Sequence, residues 1–374
     1  MSKPENADKP RILLLSAYDA ASHRRWREQL VASQPAFDWH VLSLPPRFFR
    51  WRIRGNPLSW LDAPELLEPW DLIVATSTVD VAALKGLFPS LAPVPVMLYM
   101  HENQFAYPTS QGQHQSIDPQ MVNLYSALAA DGVVFNSDWN RQSFMTGVSE
   151  LVEKLPDAVP DGLVTRLAGK SEVLPVPIED RLFTGRSTGL NVGRPHILWN
   201  HRWEYDKGPD LLLEILDELD RRGRDFRISV VGEGFRNQPE VFARIRERHG
   251  KRIHAWGFLP ERSDYEQLLG EADVVLSTAL HDFQGLAMLE AMAAGCVPVA
   301  PDRLAYPEYV PCENRYGSGS ETPGDEARSA VDVIERLLAS GARPCAPEAW
   351  RLSRLQPAYW RLIDDLINRR AVPG

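Results

Sequence analysis

Cysteine is scarce in this chain of 374 residues. The three present, Cys296, Cys312 and Cys345, have no close pairing and no histidine at metal-ligand spacing. That excludes a disulfide framework and gives no support to a zinc site, so reduced, mostly buried thiols are expected. Long apolar runs are missing as well. No stretch reaches the roughly eighteen residues that span a bilayer, and the opening MSKPENADKP lacks the apolar core of a secretory signal, so a cytoplasmic protein with no membrane partner is expected. Net positive charge is also absent: 41 Lys and Arg against 50 Asp and Glu leave −9. Such a balance argues against a protein that coats nucleic acid indiscriminately. What is there is an ordinary globular composition, 44% apolar and 24% charged, at a length that fits two domains of about 150 residues each.

The mean charge conceals a reversal. Residues 11–60 carry eight Arg and three acids, net +5, whereas residues 61–180 are net −11. A polyanion is therefore expected to meet the first sixty residues. Short β-branched or Leu-rich runs alternate with helical spacing, the pattern of parallel βαβ units. The runs at 11–16, 40–44, 71–76, 94–100 and 132–137 predict one sheet, and those at 196–200, 227–232, 252–257, 273–278 and 296–300 a second. Two Rossmann-like halves fit these counts better than one barrel. The expected division is 1–180 for an acceptor-binding domain and 181–345 for a donor-binding domain. A helix within 346–374 then follows that can cross back to the first domain, with a linker at 193–195. That helix, over 350–370, carries an apolar stripe through Trp350, Tyr359, Trp360, Ile363 and Leu366 and needs a partner surface. No internal repeat at a fixed period is found.

Two strand–loop–helix segments carry the chemistry. In WNHRWEYDKGPDLL (199–212) the helix is predicted to begin near Pro209, because proline is tolerated in a first helical turn. Arg202 and Lys207 then sit in a loop at the C-terminal edge of a parallel sheet, where such sheets bind ligands. An Arg fork and a Lys point charge can converge on one diphosphate; two solvated loop charges are the alternative. In STALHDFQGLAMLEAMAAG (277–295), Gly285 near the start of a helix lets backbone approach a ligand, and unpaired N–H groups there favour an anion. Asp282 and Glu290 lie about 12 Å apart along a straight helix, so they suit hydroxyls at two ends of an extended ligand, a sugar ring and a ribose; for Glu290 a carboxylate buried in an ion pair is the alternative.

With GLAMLEAMAAG around them, Arg202, Lys207, Asp282 and Glu290 resemble the retaining glycosyltransferases of the GT-B fold, family 4. That fold would be α/β, two Rossmann-like domains with parallel sheets facing a central cleft. The segments LYMHENQFAYP (98–108), GVVFNSDWNRQSF (132–144), SLPPRFFRWRIRGN (43–56) and DRLAYPEYVP (302–311) narrow the likeness to the tRNA-queuosine mannosyltransferase family, over about residues 11–311. Two departures are visible. Asp282 stands where the wider family has Glu, and Asp19-Ala20-Ala21-Ser22-His23 stands where the narrower one resembles Tyr-Gly-Gly-Ser-His.

The resemblance implies transfer of mannose or another hexose from a nucleotide sugar, GDP-mannose, to queuosine in a tRNA anticodon loop, with retention and without a metal or other cofactor. It implies a donor site of Arg202, Lys207, Asp282, Phe283, Gln284, Gly285, Leu286 and Glu290, with His101 against the donor sugar. Ser22 and His23 are expected near the acceptor, and Glu102, Asn103 and Gln104 either touch its hydroxyls or orient His101. Arg47, Arg50, Trp51, Arg52 and Arg54 interleave charge with aromatics, as phosphate contact plus base stacking requires; an amphipathic loop whose aromatics pack on the domain is the alternative. No obligatory protein partner is evident. A transferase acting on a lipid or glycan, and a nucleotide-sugar sensor without turnover, remain as competing readings.

Overall fold

Apolar runs rich in Val, Ile and Leu, buried on both faces, form parallel sheets because only a sheet covered on both sides by helices can use them. The computed structural model describes residues 9–107, 116–157, 159–185, 190–234, 239–319 and 322–369. Pro108 of the 98–108 segment, most of the opening ten residues and the end of the 350–370 helix lie outside them. The chain divides into two units, Met1–Val176 with Leu355–Gly374, and Pro177–Arg354.

In the first unit β1 (Arg11–Ser16), β2 (Asp38–Ser43), β3 (Leu72–Thr76), β4 (Val96–Met100), β5 (Gly132–Phe135) and β6 (Ser171–Val173) make one sheet in the order β2-β1-β3-β4-β5-β6. In the second, β7 (His196–Trp199), β8 (Arg227–Val231), β9 (Ile253–Gly257), β10 (Val274–Leu276), β11 (Val297–Pro301) and β12 (Arg315–Tyr316) take the order β12-β11-β10-β7-β8-β9. All pairings between these strands are parallel. Each sheet reverses its winding once, between β1 and β3 and between β7 and β10. Ligands bind outside the carboxyl ends of the strands at such a reversal.

Some helices start where a side chain takes up an orphan N–H group: Asp80 caps the Val81–Leu87 helix and Ser137 the Asp138–Lys154 helix. The two-residue β12 escaped the sequence reading because it is too short to show alternation. The first boundary falls upstream of the expected 180 and of the 193–195 linker, for a visible reason: Ile178 bridges Arg351 and is buried among Val275, Met292 and their neighbours in the second unit. The last helix is Leu352–Arg369, and from Leu355 onward it belongs to the first unit. There the hydroxyl of Tyr359 accepts from Trp26 Nε1 (3.1 Å) and donates to the Pro175 carbonyl (3.0 Å). Trp360, expected on the apolar stripe, is 42% exposed. The cysteines need a correction: Cys296 is buried, but Cys312 and Cys345 are exposed, because both lie in connecting segments outside the sheets. No helix among the described residues is long and apolar enough to cross a membrane.

Candidate active site

In the second unit the segments that follow β7 and β10 flank the winding reversal. The first runs from Asn200 to Gly208, where the Pro209–Arg221 helix starts. The second ends at Gly285, which precedes the Leu286–Ala294 helix. They meet backbone to backbone: the Asp206 carbonyl accepts from Leu280 N (2.9 Å) and His281 N (3.1 Å). At Gly208, φ +63°, a Cβ would lie 2.1 Å from the Thr278 carbonyl oxygen. Lys207 is buried, with Nζ 2.7 Å from the His281 carbonyl, 3.4 Å from Asp206 and 3.5 Å from Asp282. Asp282 accepts the Gly285 N–H at 2.9 Å with its other oxygen, so Lys207, Asp282 and the glycine turn form one connected unit.

Burial alone would raise the Asp282 pKa, but the Lys207 ammonium, then His201, His281 and the Gly285 N–H, outweigh it and hold the carboxyl below its ordinary value. His201 is pushed down to about 4, first by burial and then by Lys207, and its buried Nε2 has no hydrogen-bond partner among the described residues. Arg202 is more exposed, pairs with Glu204 at 2.7 Å and comes within 3.9 Å of Asp206. Phe283 and Gln284 are buried, and Phe283 meets the His281 ring edge to face at 4.5 Å. Leu286 is half-buried. At Gly285, φ +77°, a Cβ would come within 2.2 Å of the Tyr309 hydroxyl.

Glu290 lies within the helix, not at its mouth. Its carboxylate is buried against Arg262 (2.9 Å) and the Tyr265 hydroxyl (3.1 Å). Tyr265 accepts in turn from the Asn200 amide at 2.9 Å, and that amide also reaches the Ala287 carbonyl. Burial, followed by the Glu290 charge, lifts the Tyr265 pKa well above its ordinary value. Asp206, His201, Arg262 and Tyr265 were not singled out in the sequence, although the first two are chain neighbours of residues that were. Tyr306, in the quoted AYPEYVP run, bonds Ser277 Oγ at 2.7 Å and lies 3.5 Å from Asp282.

In the first unit His101 follows β4 directly and is buried. His23, from the first turn of the Ala21–Ser33 helix, stacks flat on it, with centroids 4.3 Å apart and 18° between planes. The His23 nitrogens face the Tyr18 carbonyl (Nδ1, 3.0 Å) and Glu102 (Nε2, 3.0 Å), and Ser77 Oγ donates to the other Glu102 oxygen at 3.1 Å. Burial would lower the His23 pKa, but Glu102 and the Tyr18 carbonyl outweigh it and raise it above the ordinary value. Burial, then the neighbouring His23, puts His101 well below. Ser22 is exposed. Gln104 is half-buried, its N–H given to Asn123 Oδ1 at 2.8 Å.

Asn103 is a correction to its expected acceptor contact. It has no exposed surface; its amide donates to Asn140 and Ser143, and its carbonyl takes the Phe105 and Ala106 N–H groups, so it folds the turn. From Phe49 to Ser59 the basic run is a helix rather than a loop, with Arg47 and Phe48 just before it. Arg47, Arg50 and Trp51 are exposed, as is Phe48, whose φ of +56° is unusual for a bulky residue. Arg52 is a second correction. It is 8% exposed and turned inward to Ser59 Oγ at 3.2 Å, because its helical position faces the domain. Arg54 pairs with Asp80 at 2.9 Å while keeping more than half of its surface open.

Two family models match. Residues 11–178 fit the tRNA-queuosine alpha-mannosyltransferase N-terminal model, and residues 194–340 the glycosyl transferases group 1 model. A tRNA-queuosine alpha-mannosyltransferase of Drosophila melanogaster is 34% identical over 320 residues, 83% of this chain and 85% of that one. A GDP-mannose-dependent alpha-(1-6)-phosphatidylinositol dimannoside mannosyltransferase of Mycobacterium tuberculosis is 30% identical over 39% of this chain and 36% of its own. Among solved structures, sucrose-phosphate synthase from Thermosynechococcus elongatus superposes with TM-score 0.65 at 16% identity, covering 96% and 98% of the two chains. A glycosyltransferase from Rickettsia africae does so with TM-score 0.63 at 14% identity over 96% and 99%. Together with the two six-stranded parallel sheets, these neighbours establish the GT-B fold.

Proposed function

Since the chain belongs to the tRNA-queuosine alpha-mannosyltransferase family and is a glycosyltransferase, we propose that it moves mannose from GDP-mannose to a hydroxyl of queuosine in tRNA, with retention at the anomeric carbon. The observation that carries the donor half is the joined unit of Lys207, Asp282 and the Gly285 turn at a winding reversal. A diphosphate there meets Lys207, Arg202 and the N-terminus of the Leu286–Ala294 helix, all favourable to negative charge as the leaving group departs. These groups supply positive charge without a metal. Glu290, braced by Arg262 and Tyr265, is suited to the ribose hydroxyls, and His101 to the sugar.

In the step itself, the bond from the anomeric carbon to the phosphate oxygen breaks and the acceptor oxygen attacks from the same face. The acceptor proton passes to the departing phosphate, so no enzymic nucleophile is needed. Arg47, Arg50 and Trp51, exposed together in the basic segment, are suited to tRNA phosphates and an unstacked base.

Stereochemistry of the product tests the mechanism: an α-linked mannose is expected from the α-linked donor, and a β-linked product overturns it. Incubation with a panel of sugar nucleotides tests the donor; preference for a nucleotide sugar other than GDP-mannose contradicts that assignment. A sugar found only on a lipid or glycan, never on tRNA, contradicts the acceptor.

A further inference from the structure

Beside the assigned role of His101 lies an arrangement that this role does not itself require. The His101 ring is enclosed on three sides: His23 lies parallel to it, Trp26 meets it edge to face at 4.7 Å, and Tyr99 is tilted against it at 4.7 Å. Its backbone carbonyl is taken by the Asn136 amide at 2.8 Å, while its buried Nε2 has no partner among the described residues. The stacked His23 is held at both nitrogens, and Glu102 is held in turn by Ser77. We propose that His23 and Glu102 are positioning residues for His101: the His23 ring, pinned by Glu102 and the Tyr18 carbonyl, fixes the plane of the His101 ring stacked on it.

This inference rests on the reading that His101 touches the donor sugar, and it adds two residues, from different elements, that set how it does so. The protonation chemistry follows from the same contacts. A backbone carbonyl can only accept, so His23 Nδ1 carries a proton. A carboxylate facing Nε2 likewise requires a proton between them, which makes His23 the charged partner. A cation stacked at 4.3 Å disfavours a second cation, so His101 stays neutral. The other groups facing the pair are Asp19, held by Arg24 and Arg27, and Tyr99, whose hydroxyl is committed to the Leu174 carbonyl.

The sign follows. With the His23 charge removed, His101 protonates at higher pH, so the acid limb of the kcat profile moves upward, because neutral His101 is the working form. The experiment is the pH dependence of kcat for the full-length enzyme and for Glu102→Gln, His23→Phe and His101→Asn, using donor and queuosine-containing tRNA. Glu102→Gln and His23→Phe are expected to raise the acid limb by about one pH unit, with kcat at neutral pH falling more than the donor KM rises. His101→Asn is expected to lose transfer. If His101→Asn is dead while the other two profiles superimpose on the wild type, the positioning inference is overturned and the His101 role stands; if His101→Asn transfers normally, the underlying reading fails. A readout independent of activity is the nitrogen NMR of labelled histidines in the wild-type protein. It should show His23 doubly protonated and His101 neutral near pH 7; a neutral His23 would overturn the inference even if a variant does not fold.

Discussion

Lys207 is the residue on which the proposed donor site turns. It is buried between two carboxylates and a carbonyl, so Lys207→Ala removes a cation from the proposed diphosphate site and leaves Asp282 without its ammonium partner. Transfer should fall at least tenfold, about 1.4 kcal/mol of transition-state stabilisation, read as kcat/KM, with weaker donor binding by calorimetry. Glu290→Ala should also lower transfer tenfold or more, and wild-type rates in both variants would contradict the assignment. Gly285→Ala places a methyl on a left-handed residue against Tyr309, a cost of about 1–3 kcal/mol in local strain, and should show as reduced donor affinity. Residue types and spacing singled out Lys207, Asp282 and Glu290 in the sequence, and the structure joins the first two at the Gly285 turn. The inward turn of Arg52 and the saturation of Asn103 were not, because both depend on which side of a helix or turn faces the domain.

The Phe49–Ser59 helix and the Leu352–Arg369 helix make separable predictions. With Arg50 and Trp51 exposed and Arg52 buried, Arg50→Glu with Trp51→Ala should weaken tRNA binding and reduce the salt slope by about 1, measured by gel shift at several ionic strengths. Arg52→Glu should instead lower the melting temperature. Unchanged tRNA affinity in the double variant would remove this helix from the acceptor surface. On the C-terminal helix, Tyr359→Phe strips the hydrogen bonds to Trp26 and Pro175 and should cost about 1 kcal/mol of stability, more if Trp26 is left unpaired. The apolar stripe of that helix was readable from its period. Its attachment to the first unit was an expectation that periodicity alone could not carry, since a stripe does not name its partner.

Across the whole molecule, strand alternation announced two α/β halves, while strand order was invisible because it arises from crossovers rather than local pattern. The positions of the two reversals came only with the structure, and one of them lies between the two loops that the sequence had already singled out. Stability should fall on acidification through a defined window. His196 and His201 are both held down to about 4, in each case chiefly by burial. The unfolded chain binds those protons near pH 6.5, so their stabilising contribution is complete above that pH and is lost as pH falls from about 6.5 toward 4. Thermal melts at half-unit steps should show it, and a flat profile there would contradict the burial of those rings.

The central claim, a sugar placed on queuosine of tRNA by this transferase, is most directly tested by mass spectrometry of nucleosides from queuosine-containing tRNA after incubation with the purified protein and GDP-mannose. The expected result is a hexose added to queuosine, formed at least tenfold more slowly with Lys207→Ala and absent from tRNA lacking queuosine. Unmodified queuosine with every sugar nucleotide supplied, under conditions where the protein is folded and binds donor, would contradict it.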